Sequence, residues 1–336
     1  MSLMVSIAAI AVLIVIPLIG GSVPGLQSFF GIIVPYAALI IFLTGFVLKV
    51  LKWAKSPVPF RIPTTSGQQK TLPWINYSKL ENPYTTMGVI GRMALEILFF
   101  RSLLRNAKAE IRDGDKVVYG PSQFLWLAGL AFHYTFLVIL LRHFKYFVEP
   151  TPSFVTILQN LDGFLQIGLP IIYVSDAVFL GAVSYLLLRR FFDGKVRYIS
   201  LAQDYFPLFL LISIGVTGVL MRYFLKVDLI SIKELAVGLL TFKPVVNEGI
   251  SPLFFLHLFL VSSLVAYFPF SKLMHMAGVF LSPTRNMANN NRAKRHVNPW
   301  NYDVKVHTYE EYEDEFRDLM RGAGLPLDKD TAKEKE

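Results

Sequence analysis

Residues 252–275 read Pro252-Leu253-Phe254-Phe255-Leu256-His257-Leu258-Phe259-Leu260-Val261-Ser262-Ser263-Leu264-Val265-Ala266-Tyr267-Phe268-Pro269-Phe270-Ser271-Lys272-Leu273-Met274-His275. The stretch holds no acid and one cation, Lys272. A helix needs about 20 apolar residues to cross the ~30 Å hydrocarbon core of a bilayer. Two histidines, His257 and His275, interrupt the run. An imidazole inside a membrane must find a partner, so it marks function more often than packing. Two expectations follow: the chain spans a membrane, and its histidines hold something.

The rest of the chain is of the same kind. Of 336 residues, 54% are hydrophobic and 17% charged, with a mean hydropathy of +0.48. Soluble domains carry nearer a quarter charged residues. Apolar runs fall at roughly 3–20, 27–48, 121–141, 166–188, 205–225 and 252–274. The expected fold is therefore an all-α membrane protein, a bundle of six transmembrane helices. Residues 1–52 form two N-terminal spans, 53–120 a loop with an interfacial helix, 121–282 a four-helix domain and 283–336 a polar tail. The first run is short enough to suggest a signal peptide. It lacks a basic leader, and Gly20-Gly21-Ser22-Val23-Pro24-Gly25 reads as a turn into the next span. With Met1 present, it is expected to remain as a helix.

Charge gives the chain a direction. Lys and Arg number 12 in 49–120, 4 in 189–204 and 11 in 272–336, against 0 in 21–26, 2 in 142–165 and 4 in 222–252. The richer side is expected to be cytoplasmic, with both termini inside the cell membrane. The net charge of +9 follows from this asymmetry. No compact basic domain is present to bind nucleic acid.

Two segments outside the spans have content. Residues 86–104 are apolar but interrupted by Arg92, Glu96 and Arg101, with Arg105 just beyond. This suits a helix in the interface with its arginines toward headgroups, or one packed on a partner. The tail turns polar, with Arg292, Lys294 and Arg295 ahead of the acidic, tyrosine-rich run 309–315. It is expected to be disordered or ordered against a partner protein.

The chain has no cysteine, so it can carry neither disulfides nor cysteine-held iron–sulfur clusters. Six histidines are its nitrogen ligands. Four of them, His133, His143, His257 and His275, lie in or at the ends of the third and sixth spans. Paired neutral imidazoles are good axial ligands for haem iron and suit electron transfer. The two spans run antiparallel, which pairs His143 with His257 at the outer end and His133 with His275 at the inner end. By helical rise the separations are about 15 Å on one helix and about 27 Å on the other. Tilt and a kink at Pro269 would absorb part of that difference. Zinc would need its ligands converging in one sphere, which histidines so far apart on one helix cannot provide. A cofactor-free membrane anchor, or a transporter subunit passing protons through its histidines, is the alternative. It would usually bring intramembrane carboxylates, and only Asp176 is expected mid-span.

The ending Tyr267-Phe268-Pro269-Phe270-Ser271-Lys272-Leu273-Met274-His275, with histidine spacings of 10 and 18, resembles the gamma subunit of respiratory nitrate reductases. The resemblance covers roughly residues 27–282. It implies two haem b groups with the cross-pairing above. The extra first helix, the loop 53–120 and the tail motifs Asn298-Pro299-Trp300-Asn301-Tyr302 and Val306-His307-Thr308-Tyr309 are similar to the DsrM family. That family is the cytochrome b subunit of the Dsr membrane complex of dissimilatory sulfur metabolism. The heterodisulfide reductase cytochrome b is a near relative. The resemblance implies a quinone, such as menaquinone, as redox substrate. It also implies a cytoplasmic iron–sulfur partner of the heterodisulfide-reductase-like, DsrK type, with other Dsr subunits and the bilayer around it.

Haem propionates need cations or hydrogen-bond donors near the histidines. Arg142 and Arg222 at the outer end, and Lys272 at the inner end, are candidates for haem propionates; each could also be a snorkelling helix-end charge. By family analogy quinol reacts near the outer haem. Lys145, Glu149 and Asp162 lie in the loop there and are candidates for taking its protons, or are simply solvated charges.

Overall fold

The computed structural model describes residues 1–56, 67–105, 108–163, 171–225, 227–282, 284–291, 294 and 305–328. Helix α1, Ser2–Gly21, has no charged side chain. Its chain reverses at Gly25, whose φ of +88° is left-handed and open to glycine without steric cost. Helix α2 then runs Leu26–Ala54, with a π-helical turn at Phe29–Ile33. Outside the spans come α3, Thr86–Phe99, and α4, Arg101–Leu104. The corner between them is Phe100, at φ +48°.

A β-hairpin follows, which the sequence reading did not expect: β1, Lys108–Arg112, pairs antiparallel with β2, Lys116–Gly120. Its signal was Asp113-Gly114, which take positive φ of 49° and 91° and so close a tight turn. Ala109, Ile111, Val117 and Tyr119 share one face by strand alternation.

The histidine-bearing domain contains α5, Gln123–His143; α6, Ser153–Asp162; α7, Val174–Phe192; and α8, Gly194–Ile199. It continues through α9, Ala202–Val219, extended by a π turn over Leu220–Phe224, then α10, Leu229–Leu240, and α11, Pro252–Tyr267. Beyond α11 the helix breaks: 3-10 turns at Phe268–Phe270 and Lys272–Met274 flank Ser271 and lead to the short α12, His275–Gly278. Pro269 cannot donate a backbone hydrogen bond, which accounts for the break where a kink was expected within 252–274.

Five helical segments among the described residues are long and apolar enough to cross a membrane: Ser2–Gly21, Leu26–Ala54, Gln123–Tyr146, Ala202–Phe224 and Pro252–Phe270. The expected span 166–188 corresponds to α7, which starts later; residues 164–170 lie outside the described residues. Asp176 is therefore not mid-span, as the sequence suggested, but in the first turn of α7. Arg189 and Arg190 sit in its last turn, where cations favour the helix dipole.

Packing runs from α5 to α7, α7 to α9, α9 to α11 and α11 to α2, with α1 laid across α9 and α11. Ile10, Leu210, Leu256 and Leu260 join α1, α9 and α11, while Phe179, Val183 and Leu211 join α7 to α9. Helices α5 and α11 are not among the packed pairs.

Two sequence expectations for the polar segments need correction. The arginines of 86–105 do not all face outward. Arg92 is buried and donates to the carbonyls of Glu81 (2.9 Å) and Thr284 (3.2 Å), and burial lowers its pKa. Arg101 pairs with Glu81, and buried Glu96 accepts from Ser102 and faces Arg285 at 3.6 Å. The segment is therefore bolted to residues 284–291, where buried Asn289 also bonds Asn82 at 2.5 Å. The tail is not wholly irregular either. Helix α13, Tyr309–Gly322, starts at a capping box of Thr308 and Glu311. Its buried Glu313 accepts from the Asp328 amide at 2.9 Å. The tail motif 298–302 lies outside the described residues.

The α1–α2 hairpin closes on Gly20: a Cβ there would stand 2.2 Å from Phe30 Cε2. Phe30 is buried among Leu235, Ile250 and Phe255, so it has no room to move. Gly20→Ala should therefore destabilise the protein by about 1–3 kcal/mol, read as a lowered thermal transition in detergent; an unchanged transition would show that the hairpin can open.

Candidate functional site

The four histidines meet as two pairs, with His133 and His143 on α5, His257 on α11 and His275 at the start of α12. At one end His133 and His275 have ring centroids 6.0 Å apart, with planes at 82°. Phe100 and Phe132 each set an edge against His133 at 4.9 Å. Both imidazoles keep exposed surface. At the other end His143 lies close enough to His257 to interact with it electrostatically. The break at Ser271 resolves the unequal spacings of 10 and 18, because the longer one is not a continuous helical rise.

All four rings are held by the same nitrogen. His133 Nδ1 bonds Gly129 O at 2.8 Å, His143 Nδ1 bonds Ile139 O at 2.7 Å, and His275 Nδ1 bonds Lys272 O at 2.8 Å. A carbonyl only accepts, so each Nδ1 carries the proton. His257 Nδ1 meets Thr217 Oγ1 at 2.8 Å. The Thr217 hydroxyl is itself 2.9 Å from Ser213 O, to which it donates, so it accepts from His257. Each ring is thereby a Nδ1–H tautomer with its Nε2 lone pair available. A second-shell bond of this kind orients an imidazole for metal ligation.

These residues fit haem. Metal–imidazole bonds of about 2 Å on both sides of one iron put ring centroids about 6 Å apart, as for His133 and His275. Groups of three or more metal ligands, as zinc would require, are absent among the described residues. Unpaired donors remain at the outer end: Arg142 Nε and Arg222 Nε are buried without hydrogen-bond partners. Such donors suit an anionic group like a propionate.

The outer end is also where most of the sequence-chosen polar residues gather. Arg142, 6% exposed, donates from Nη2 to Asp176 Oδ1 at 2.5 Å and stands 3.1 Å from Asp162 Oδ2. Asp162 is thus no solvated loop charge: it also accepts from the Ser175 amide and hydroxyl at 2.8 and 2.6 Å. Tyr223 OH donates to Asp176 Oδ2 at 2.9 Å. The guanidiniums of Arg142 and Arg222 lie 3.8 and 3.9 Å from the centroid of Tyr173. At that distance two cations can share a ring only from opposite faces. The π turn of α9 carries both Arg222 and Tyr223 into this cluster.

The other candidates separate. Lys145 stays beside the outer pair, 4.9 Å from the ring of Tyr146, which is itself 5.8 Å from His143. Glu149 does not join it; it is exposed and paired with Lys233 of α10. Lys272 is already engaged, with Asp204 at 2.7 Å. Tyr173, Tyr223 and Thr217 escaped sequence reasoning. Thr217 lies 40 positions from its histidine, and no local pattern joins them.

Residues 118–290 match the family model of the nitrate reductase gamma subunit. The Hdr-like menaquinol oxidoreductase cytochrome b-like subunit of Archaeoglobus fulgidus is 48% identical over 278 residues, covering 81% of this chain and 83% of the relative. The protein of the same description from Archaeoglobus profundus is 41% identical over 273 residues, 79% and 81% of the two chains. The chain belongs to the nitrate reductase gamma subunit family, and it is a membrane cytochrome b-type subunit of the Hdr-like kind.

Removing Arg142 would leave Asp162 and Asp176 without their shared cation. Arg142→Ala is expected to cost about 3–5 kcal/mol of stability, measured by denaturant unfolding in detergent. Asp176→Asn, which keeps a hydrogen-bond acceptor, should cost less. Equal and small losses would mean the cluster is hydrated.

Proposed function

With that family as premise, we propose that this chain is a dihaem cytochrome b that oxidises menaquinol and passes the electrons to an iron–sulfur protein. The observation that carries the reading is the pairing of four rings, each with Nδ1 occupied and Nε2 available. A haem held by two imidazoles has no open position and supplies one-electron transfer. His143 and His257 would hold the outer one and His133 and His275 the inner one. Arg142 and Arg222 would meet outer propionates with their unpaired N–H groups. Lys272, already bound to Asp204, is the weakest of the three propionate candidates.

The same reading gives the bundle six crossings, with α7 as the additional one, and puts both termini in the cytoplasm as the Lys and Arg asymmetry favours. Quinol then gives up its electrons near His143 and its protons to the outer side. Lys145 and the Asp162–Arg142–Asp176 cluster are the titratable groups adjacent to that point; Glu149, drawn away to Lys233, is not. Electrons leave beside His133 and His275, where the bolted cytoplasmic segment and the tail would meet the partner. That partner is a heterodisulfide-reductase-like, DsrK-type subunit, and the Dsr membrane complex is the assembly in which this chain would take the DsrM role. The Hdr-like description of the relatives and the absence of cysteine both support clusters in another chain.

The four ligands give a direct test. His133→Ala and His275→Ala should each remove the same haem, and His143→Ala and His257→Ala the other, by haem quantitation and redox titration. If His133→Ala and His257→Ala removed the same haem, the topology would be overturned. In rapid mixing with a quinol analogue, the His275→Ala protein should still reduce its remaining haem. If that haem stayed oxidised, quinol would enter from the cytoplasmic end.

A further inference from the structure

No acid occurs before Glu81, yet Lys49, Lys52 and Lys55 close α2. Lys49 and Lys52 are three residues apart and so share one helix face. They stand at one end of a groove of about 580 Å³ that the haem reading does not use. Ile40, Ile41 and Leu48 line its α2 side, and Pro269 and Phe270 form the facing wall. The groove follows α2 from residue 40 to residue 52, about 18 Å by helical rise. One leaflet of the ~30 Å hydrocarbon core has nearly that depth. Thus a leaflet-deep apolar channel ends in two ammonium groups. Neither lysine forms an ion pair among the described residues.

We propose that this groove binds one anionic phospholipid, its tail along α2 and its phosphate between Lys49 and Lys52. The charge argues against a quinol, whose uncharged head gains little from two cations, and against a zwitterionic lipid, whose own ammonium would oppose them. The groove also has a mechanical place. Gly45 brings α2 against the break, since a Cβ there would meet Pro269 Cβ at 2.8 Å. One turn beyond Lys49, Trp53 lies against Gly278 of α12, where an added Cβ would be 3.6 Å from its ring. A lipid in the groove would brace the broken end of the last span, which carries His275.

The test uses the full-length, haem-loaded protein in nanodiscs of phosphatidylglycerol and phosphatidylcholine in equal parts. Lipid retained on mild extraction is counted by native mass spectrometry. One phosphatidylglycerol per chain should be retained in preference to phosphatidylcholine. Lys49→Gln with Lys52→Gln should lower that retention about tenfold, with haem bands and helix content unchanged. Lys195→Gln, an exposed lysine of α8, should have no effect. Leu48→Trp, which fills the channel and keeps both charges, should also lower retention, and it serves if the double variant does not fold. Equal retention of the two lipids, retention unaltered in both groove variants, displacement by inorganic phosphate, or recovery of a quinone instead would each overturn the proposal.

Discussion

An imidazole in a low-dielectric span must satisfy two nitrogens, and here the local helix satisfies only one. For three of the rings the Nδ1 proton goes to a carbonyl three or four residues back; for His257 it goes to Thr217 of α9. A ring whose Nδ1 is engaged presents Nε2, and four such nitrogens inside a membrane protein call for a ligand that can be approached from both sides. The architecture serves that requirement. α7 and α9 link α5, which carries two of the rings, to α11, which carries the third and leads to the fourth on α12.

The two ends differ in kind. At the His133–His275 end both rings are exposed and bordered by aromatic edges. At the His143–His257 end a buried cluster of two carboxylates, two guanidiniums and two tyrosines has spare N–H groups. Buried charge of this sort is costly to build and to break, so it makes the outer end rigid and polar. The inner end is instead attached to segments outside the membrane through Arg92, Glu96 and Asn289.

Five of the spans and the approach of His133 to His275 were legible because both depend on local or long-period signals: apolar length, and histidines on two antiparallel segments. What failed depended on contacts between distant positions. Asp176 read as mid-span because apolar residues precede it, whereas α7 begins only at Val174. Asp162 read as a loop acid, either a proton acceptor or solvated, because its cation, Arg142, is 20 positions earlier and on another helix. The Thr308–Glu311 capping box and the Asp113-Gly114 turn were readable locally and were outweighed by the polarity of their surroundings. The helix break beside Pro269 was anticipated as a kink, but its reach through Ser271 to His275 was not.

That break divides the last span into a long helix and a short one. His257 belongs to α11, clamped by Leu256 and Leu260 in the core with α1 and α9. His275 begins α12, beyond two 3-10 turns, and lies a few residues before Arg285 and Asn289, which bond the segment 81–105. Residues 284–291 therefore lie a short length of chain from the His275 imidazole, whereas the His257 imidazole belongs to a helix packed into the core. In the language of machines, the two ligands of a single chain segment are on separate suspensions, and only one is linked to the outside.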